Sequence, residues 1–120
     1  MKNDYTFTNE YIHKNLEELW AIISIGLREK NILEISSIRG VNYKIEEVNN
    51  IVVSYSTPSR SSGKKEDLTK TDFLNFFKVL KSHSTFNTAS IKLDLPTEIY
   101  AKRSPLFAVL LAMAIIKQTN

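Results

Sequence analysis

The residues best equipped for chemistry sit in one stretch, Ser56 to Lys70, which reads STPSRSSGKKEDLTK. Serine hydroxyls, the Arg60 guanidinium, the Lys64 and Lys65 ammonium groups and a side-chain-free Gly63 are the ingredients of a phosphate contact. Loops of this kind present hydroxyl, cationic and backbone N–H donors together. No G-x-x-x-x-G-K-[ST] or G-x-G-x-x-G pattern occurs, so nothing here marks a nucleotide-binding Walker or dinucleotide loop. The competing reading is a surface connector kept soluble by Ser and Lys.

A second group is Ala101 to Pro105, AKRSP. Lys102 and Arg103 precede an expected helix start, where unsatisfied N–H groups and the helix dipole favour an anion. Two cations there are mildly unfavourable for the helix. A bound phosphate offsets this, and so does a carboxylate such as Glu98. Together these stretches give the expected contact set: Arg60, Ser61, Ser62, Lys64, Lys65, Lys70, Lys102 and Arg103. Whether the loop and the Lys102-Arg103 pair share one face is not set by the sequence.

Other chemistry is poorly provided for. His13 and His83 have no second ligand at helical or hairpin spacing, so no metal site is expected. The carboxylates Glu46, Glu47, Glu66, Asp67, Asp72, Asp94 and Glu98 are scattered. Lys92-Leu93-Asp94 holds the elements of a metal-nuclease triplet in reverse order, and no G-x-S-x-G elbow occurs. No catalytic residue, metal or cofactor is assigned. Tyr43, Tyr55 and Tyr100 would stack bases if exposed on one face. The periodicity of Tyr43 and Tyr55 instead places them with the core.

Composition narrows the class. With 120 residues, 42% apolar and 24% charged, the chain suits one globular domain and lies far from the disordered regime. It has no cysteine, which removes disulfides and thiolate chemistry and fits a cytoplasmic protein. MKNDYTFTNEY lacks the apolar segment of a secretory leader. The 11-residue run Leu106 to Ile116, LFAVLLAMAII, is too short for a bilayer, which needs about 20 residues. Lysine outnumbers arginine 12 to 4, a bias that fits a low-GC bacterial or phage origin. The net charge of +3 is uneven, −2 over residues 1–55 and +5 over residues 56–120. A basic half permits a nucleic-acid partner without requiring one.

The elements that must hold these groups follow from periodicity. Ile12, Leu16, Leu19, Trp20, Ile23 and Leu27 form one helical stripe, so a first helix is expected from Asn9 to Lys30, capped by Thr8 or Asn9 and ended by Asn31. Gly26 within it points to close packing. Arg39-Gly40 offers a bend. Val41, Tyr43 and Ile45 then alternate with polar residues, and after an Asn49-Asn50 turn so do Ile51, Val53 and Tyr55, giving a meander of two or three strands. Thr69 and Asp72 form a near capping box, with Leu68 and Phe73 as a staple, for a helix reaching about Lys81. Ile91, Leu93 and Leu95 alternate and suggest a further strand, ended by Pro96. Ser104 and Pro105 open a last helix through the apolar run. A helix apolar all round is buried on every side, within the core or against a second subunit.

The expected fold is therefore α+β: an antiparallel sheet of three or four strands packed by three helices. The expected function is non-enzymatic nucleic-acid binding through phosphates, with a homodimer doubling the basic surface. The alternatives are a protein-interaction or regulatory module with a protein partner and, third, a metal-dependent nuclease-like enzyme.

Overall fold

Residues 4–58 and 64–119 are described by the computed structural model. Its elements, in order, are β1 (Tyr5–Phe7), α1 (Leu16–Glu29), β2 (Glu34–Ser36), β3 (Asn42–Val48), β4 (Val52–Ser56), β5 (Glu66–Thr69), α2 (Lys70–Lys81), a 3-10 turn (Lys92–Asp94), α3 (Thr97–Tyr100), α4 (Arg103–Ala112) and β6 (Ile116–Gln118). The fold is α+β, with a four-stranded antiparallel sheet in the order β2-β3-β4-β5 and a two-stranded sheet of β1 and β6.

The meander forms because alternate residues find the same interior. Ile35, Tyr43, Ile45, Val53, Tyr55 and Leu68 are buried on the inner face of the larger sheet. A bulge at Glu46 shifts the β3–β4 register between Ile45 and Glu47. The β3–β4 turn lies one residue later than the sequence reading. Asn49 N–H donates to Val52 O at 3.0 Å, so Asn50 and Ile51 stand at its centre. Asn49 Oδ1 accepts from Ile51 N at 2.9 Å and Val52 N at 3.0 Å, an Asx turn that needs no positive φ.

Helix α2 is built as expected. Thr69 Oγ1 accepts from Asp72 N at 3.1 Å and Asp72 Oδ2 accepts from Thr69 N at 3.0 Å, a complete capping box. Phe73, Phe76, Phe77 and Leu80 are wholly buried. Helix α1 starts later than its apolar stripe implied. Asn15 and Glu18 form its capping box, and Ile12 lies outside it at 37% exposure. The stripe ran past the true cap because residues 9–13 are apolar and polar in helical order yet fold as turns. Asn31 ends the helix at φ 50 with a bond from Ile32 N to Leu27 O, the left-handed cap anticipated for it. Gly26 packs as expected: a methyl group there would collide with Met113 Cε.

Three other expectations are corrected. The stretch Ile91 to Leu95 is a 3-10 turn and not a strand: Ile91 and Leu95 face the core while Leu93 is 96% exposed, so the packing interval is four residues rather than two. The connector after β4 contains β5, whose polar EDLT sequence masks a ladder with β4 that buries Leu68 alone. The apolar run does not stay helical to Ile116. Helix α4 stops at Ala112, and Ala114 adopts φ 56, with Ile115 N donating to Leu110 O and Ala114 N to Leu111 O. The chain then pairs with β1, so Thr119 N reaches Asp4 O at 3.0 Å. Leu106 through Leu110 have no exposed surface, so α4 lies in the core of this chain. It touches β2 and β6. No helix among the described residues is long and apolar enough to cross a membrane.

Candidate nucleic-acid interface

Two segments far apart in sequence face each other across a cleft of about 430 Å³. One wall is the β2–β3 turn. Ser37 N donates to Val41 O at 2.8 Å and Gly40 N to Ser37 O at 2.9 Å, closing a three-residue loop. Gly40 sits at φ 85, a left-handed conformation that glycine takes at little cost, and this bend sets Arg39 on the rim. The other wall is the joint between α3 and α4. It contributes Tyr100, Arg103, Ser104 and Phe107, while Thr88 and Ala89 close one side.

Arg103 is held in place twice. Its Nη1 donates to Tyr100 O at 3.1 Å, and its guanidinium carbon stands 4.3 Å from the Tyr100 ring centroid. A cation over a tyrosine face is attracted by the ring quadrupole, by roughly 0.5–2 kcal/mol depending on solvation. Lys92 Nζ lies 5.9 Å from the same centroid, so a second cation gathers on this aromatic. A guanidinium carries five N–H donors, and Tyr100 O engages one of its nitrogens. Arg39 and Arg103 have no carboxylate within ion-pair distance among the described residues, and the cleft lining contains none. The cleft lining is therefore positive, while Glu34 shares a neighbouring depression with Arg39.

Ser104, expected as the N-cap of the last helix, does something else. Helix α4 begins two residues earlier, with Lys102 at the cap position and no side-chain cap. The Ser104 hydroxyl instead meets the Tyr43 hydroxyl at 2.7 Å. Tyr43 is 3% exposed and stands edge-on to Tyr55 at 5.4 Å, so both rings serve the core as their periodicity implied.

The expected contact residues separate into three groups. Arg60, Ser61 and Ser62 lie outside the described residues. Lys64 and Lys65 are exposed just before β5, and Lys65 Nζ is 3.6 Å from Glu47 Oε1. Lys70 opens α2 with Nζ 2.7 Å from Glu17 Oε1, so it joins α2 to α1. Lys102 faces away from the anion role given to it: Nζ donates to Asp67 O at 3.0 Å and to Asp72 Oδ2 at 3.2 Å. The carboxylate that balances Lys102 is thus Asp72 rather than Glu98. Of the described members of this set, Arg103 alone lines the cleft.

The sequence reading did not place Arg39 beside Arg103, as the cleft does. The one local signal was the Arg-Gly pair, which marked a bend. Its pairing with Arg103 depends on the β2–α4 contact and has no sequence signature. Pro58, the last described residue before the basic stretch, lines a shallow depression with Glu34, Arg39, Gly40, Val41 and Asn42. His83 is also less isolated than its spacing implied: Nε2 is 2.8 Å from Asp94 Oδ2, bracing the end of α2 against the 3-10 turn. Among the described residues no three His, Asp or Glu side chains gather into a metal site.

No family model, curated protein or solved structure matches this chain.

Proposed function

We propose that the protein is a non-enzymatic nucleic-acid-binding module whose phosphate contacts centre on Arg39 and Arg103. The observation that carries this reading is that two arginines, from separate elements, line one cleft whose lining, among the described residues, holds no carboxylate. Arginine suits phosphate because its planar fork makes paired hydrogen bonds and is always charged. The +5 charge of residues 56–120 adds a longer-range attraction. By their chemistry Arg60, Ser61, Ser62, Lys64 and Lys65 stay in the proposed contact set, and of these Lys64 and Lys65 are described, exposed just before β5. Lys70 and Lys102 drop out of the contact set, because their ammonium groups are committed to Glu17 and Asp72.

Fluorescence anisotropy of a labelled oligonucleotide at low salt tests the reading. Replacing Arg39 and Arg103 together by Ala weakens binding by about tenfold or more, whereas Lys70→Ala stays within about twofold of wild type. Equal losses in both variants, or no binding by the wild-type protein at tens of micromolar, defeat it.

A further inference from the structure

The cleft is more than a phosphate seat. We infer that it holds one unstacked nucleotide of a single strand, an inference that rests on the nucleic-acid reading above. A phosphate group bound alone is a surface event: it needs donors and no apolar floor. This cleft has such a floor. Phe107 is wholly buried beneath it, Ile38, Val41 and Ala89 line it, and Tyr100 stands under Arg103. Its volume of about 430 Å³ matches pockets that enclose small organic ligands, roughly 300–1,000 Å³. A duplex keeps its bases stacked inside, and its backbone would meet only the rim.

The chemistry of the walls matches a nucleotide part by part. A base is flat and apolar on its faces, and proteins hold splayed bases on aromatic rings and on guanidinium planes. Arg103, pinned over Tyr100, supplies the plane. A base is polar on its edges, and Ser104 and Thr88 supply hydroxyls there. The Ser104–Tyr43 hydroxyl pair can donate in either direction, so Ser104 presents a donor or an acceptor as the base requires. The 5′-phosphate carries the negative charge, and Arg39 on the rim and the in-plane N–H edge of Arg103 supply its partners.

The test compares a short single strand, its duplex and the same single strand with abasic sites throughout, in DNA and in RNA, by anisotropy at one salt concentration. Intact single strands bind more tightly than either the duplex or the abasic strand, by about fivefold to 150-fold, the range that stacking of one base provides. The DNA and RNA arms separate a sugar-neutral cleft from one that reads the 2′-hydroxyl. Ala89→Trp and Thr88→Tyr, each filling the cleft from the side, reduce single-strand affinity to the duplex level. Arg103→Lys keeps the charge and loses the plane, so it removes the single-strand preference as well. Far-UV circular dichroism confirms that each variant is folded. Equal affinity for single strand, duplex and abasic strand overturns the inference while the phosphate reading stands. Retention of the preference in both filled variants overturns it too, and absence of all binding overturns both.

Discussion

Asp72 joins two parts of the fold, and its removal has a calculable cost. Its Oδ2 accepts from Thr69 N at 3.0 Å and from Lys102 Nζ at 3.2 Å, so one carboxylate caps α2 and ties it to the start of α4. Asp72→Ala loses a capping interaction worth about 1 kcal/mol. It also loses an ion pair worth at most about 1 kcal/mol, since Lys102 is 35% exposed. The expected total is about 2 kcal/mol. Lys102→Ala removes the ion pair and the bond to Asp67 O but spares the cap, and costs about 1 kcal/mol. The double variant costs less than the sum of the singles by about 0.5–1 kcal/mol, because the pair can be lost only once. Urea unfolding followed by Trp20 fluorescence reads these values directly, since Trp20 packs against Phe73 of α2 with ring centroids 5.5 Å apart. With a slope of about 1–3 kcal/mol per molar for a chain of this size, Asp72→Ala lowers the midpoint by roughly 1 M. An unchanged midpoint for Asp72→Ala refutes the linkage. A Lys102→Ala variant of wild-type stability that loses nucleic-acid affinity refutes it more pointedly, by returning Lys102 to the contact set.

Ala114 occupies a left-handed position at φ 56, where glycine is the residue without a penalty, so Ala114→Gly raises stability by about 0.5–1 kcal/mol, measured by the same urea titration. At Gly26 an added methyl would strike Met113 Cε. Met113 Cε is the tip of a flexible side chain and can swing aside, so Gly26→Ala stays near neutral, the repacking offsetting a helix-propensity gain of up to about 1 kcal/mol. In a Met113→Ala background the same substitution is more favourable than in the wild type, a coupling that a double-mutant cycle reads. Gly40→Ala forces a side chain into φ 85, costs about 1 kcal/mol and displaces Arg39, so thermal stability and oligonucleotide affinity fall together.

The sequence exposed those parts of the fold whose signals are local. The Thr69–Asp72 box and the Phe73, Phe76, Phe77 face are written within a few residues, and the alternation of Tyr43 with Ile45 needs only a neighbouring strand. Features that depend on distant partners stayed hidden. β5 is polar because its outer residues face solvent, and only Leu68 shows its inner side. β1 and β6 are three residues each and exist through their pairing with one another. The end of α4 at Ala112 is set by Ala114, a residue with no turn preference, so the apolar run gave no stop signal. The candidate site divides in the same way. Arg103 stood out beside a helix start, but Arg39 becomes its companion only when β2 packs on α4. Lys70 and Lys102 were sorted as phosphate ligands by charge alone, and their carboxylate partners lie 53 and 30 residues away in the chain.

The salt dependence of oligonucleotide binding by the wild-type protein and by an Arg39→Ala, Arg103→Ala variant is the most direct measurement of the central proposal. Each phosphate contact contributes about 0.7–0.9 to the slope of log affinity against log salt, through release of condensed counterions. Two such contacts at the cleft mean a slope shallower by about 1.4–1.8 in the variant, with far-UV circular dichroism unchanged. A folded variant with the wild-type slope would contradict the assignment of Arg39 and Arg103 as phosphate ligands.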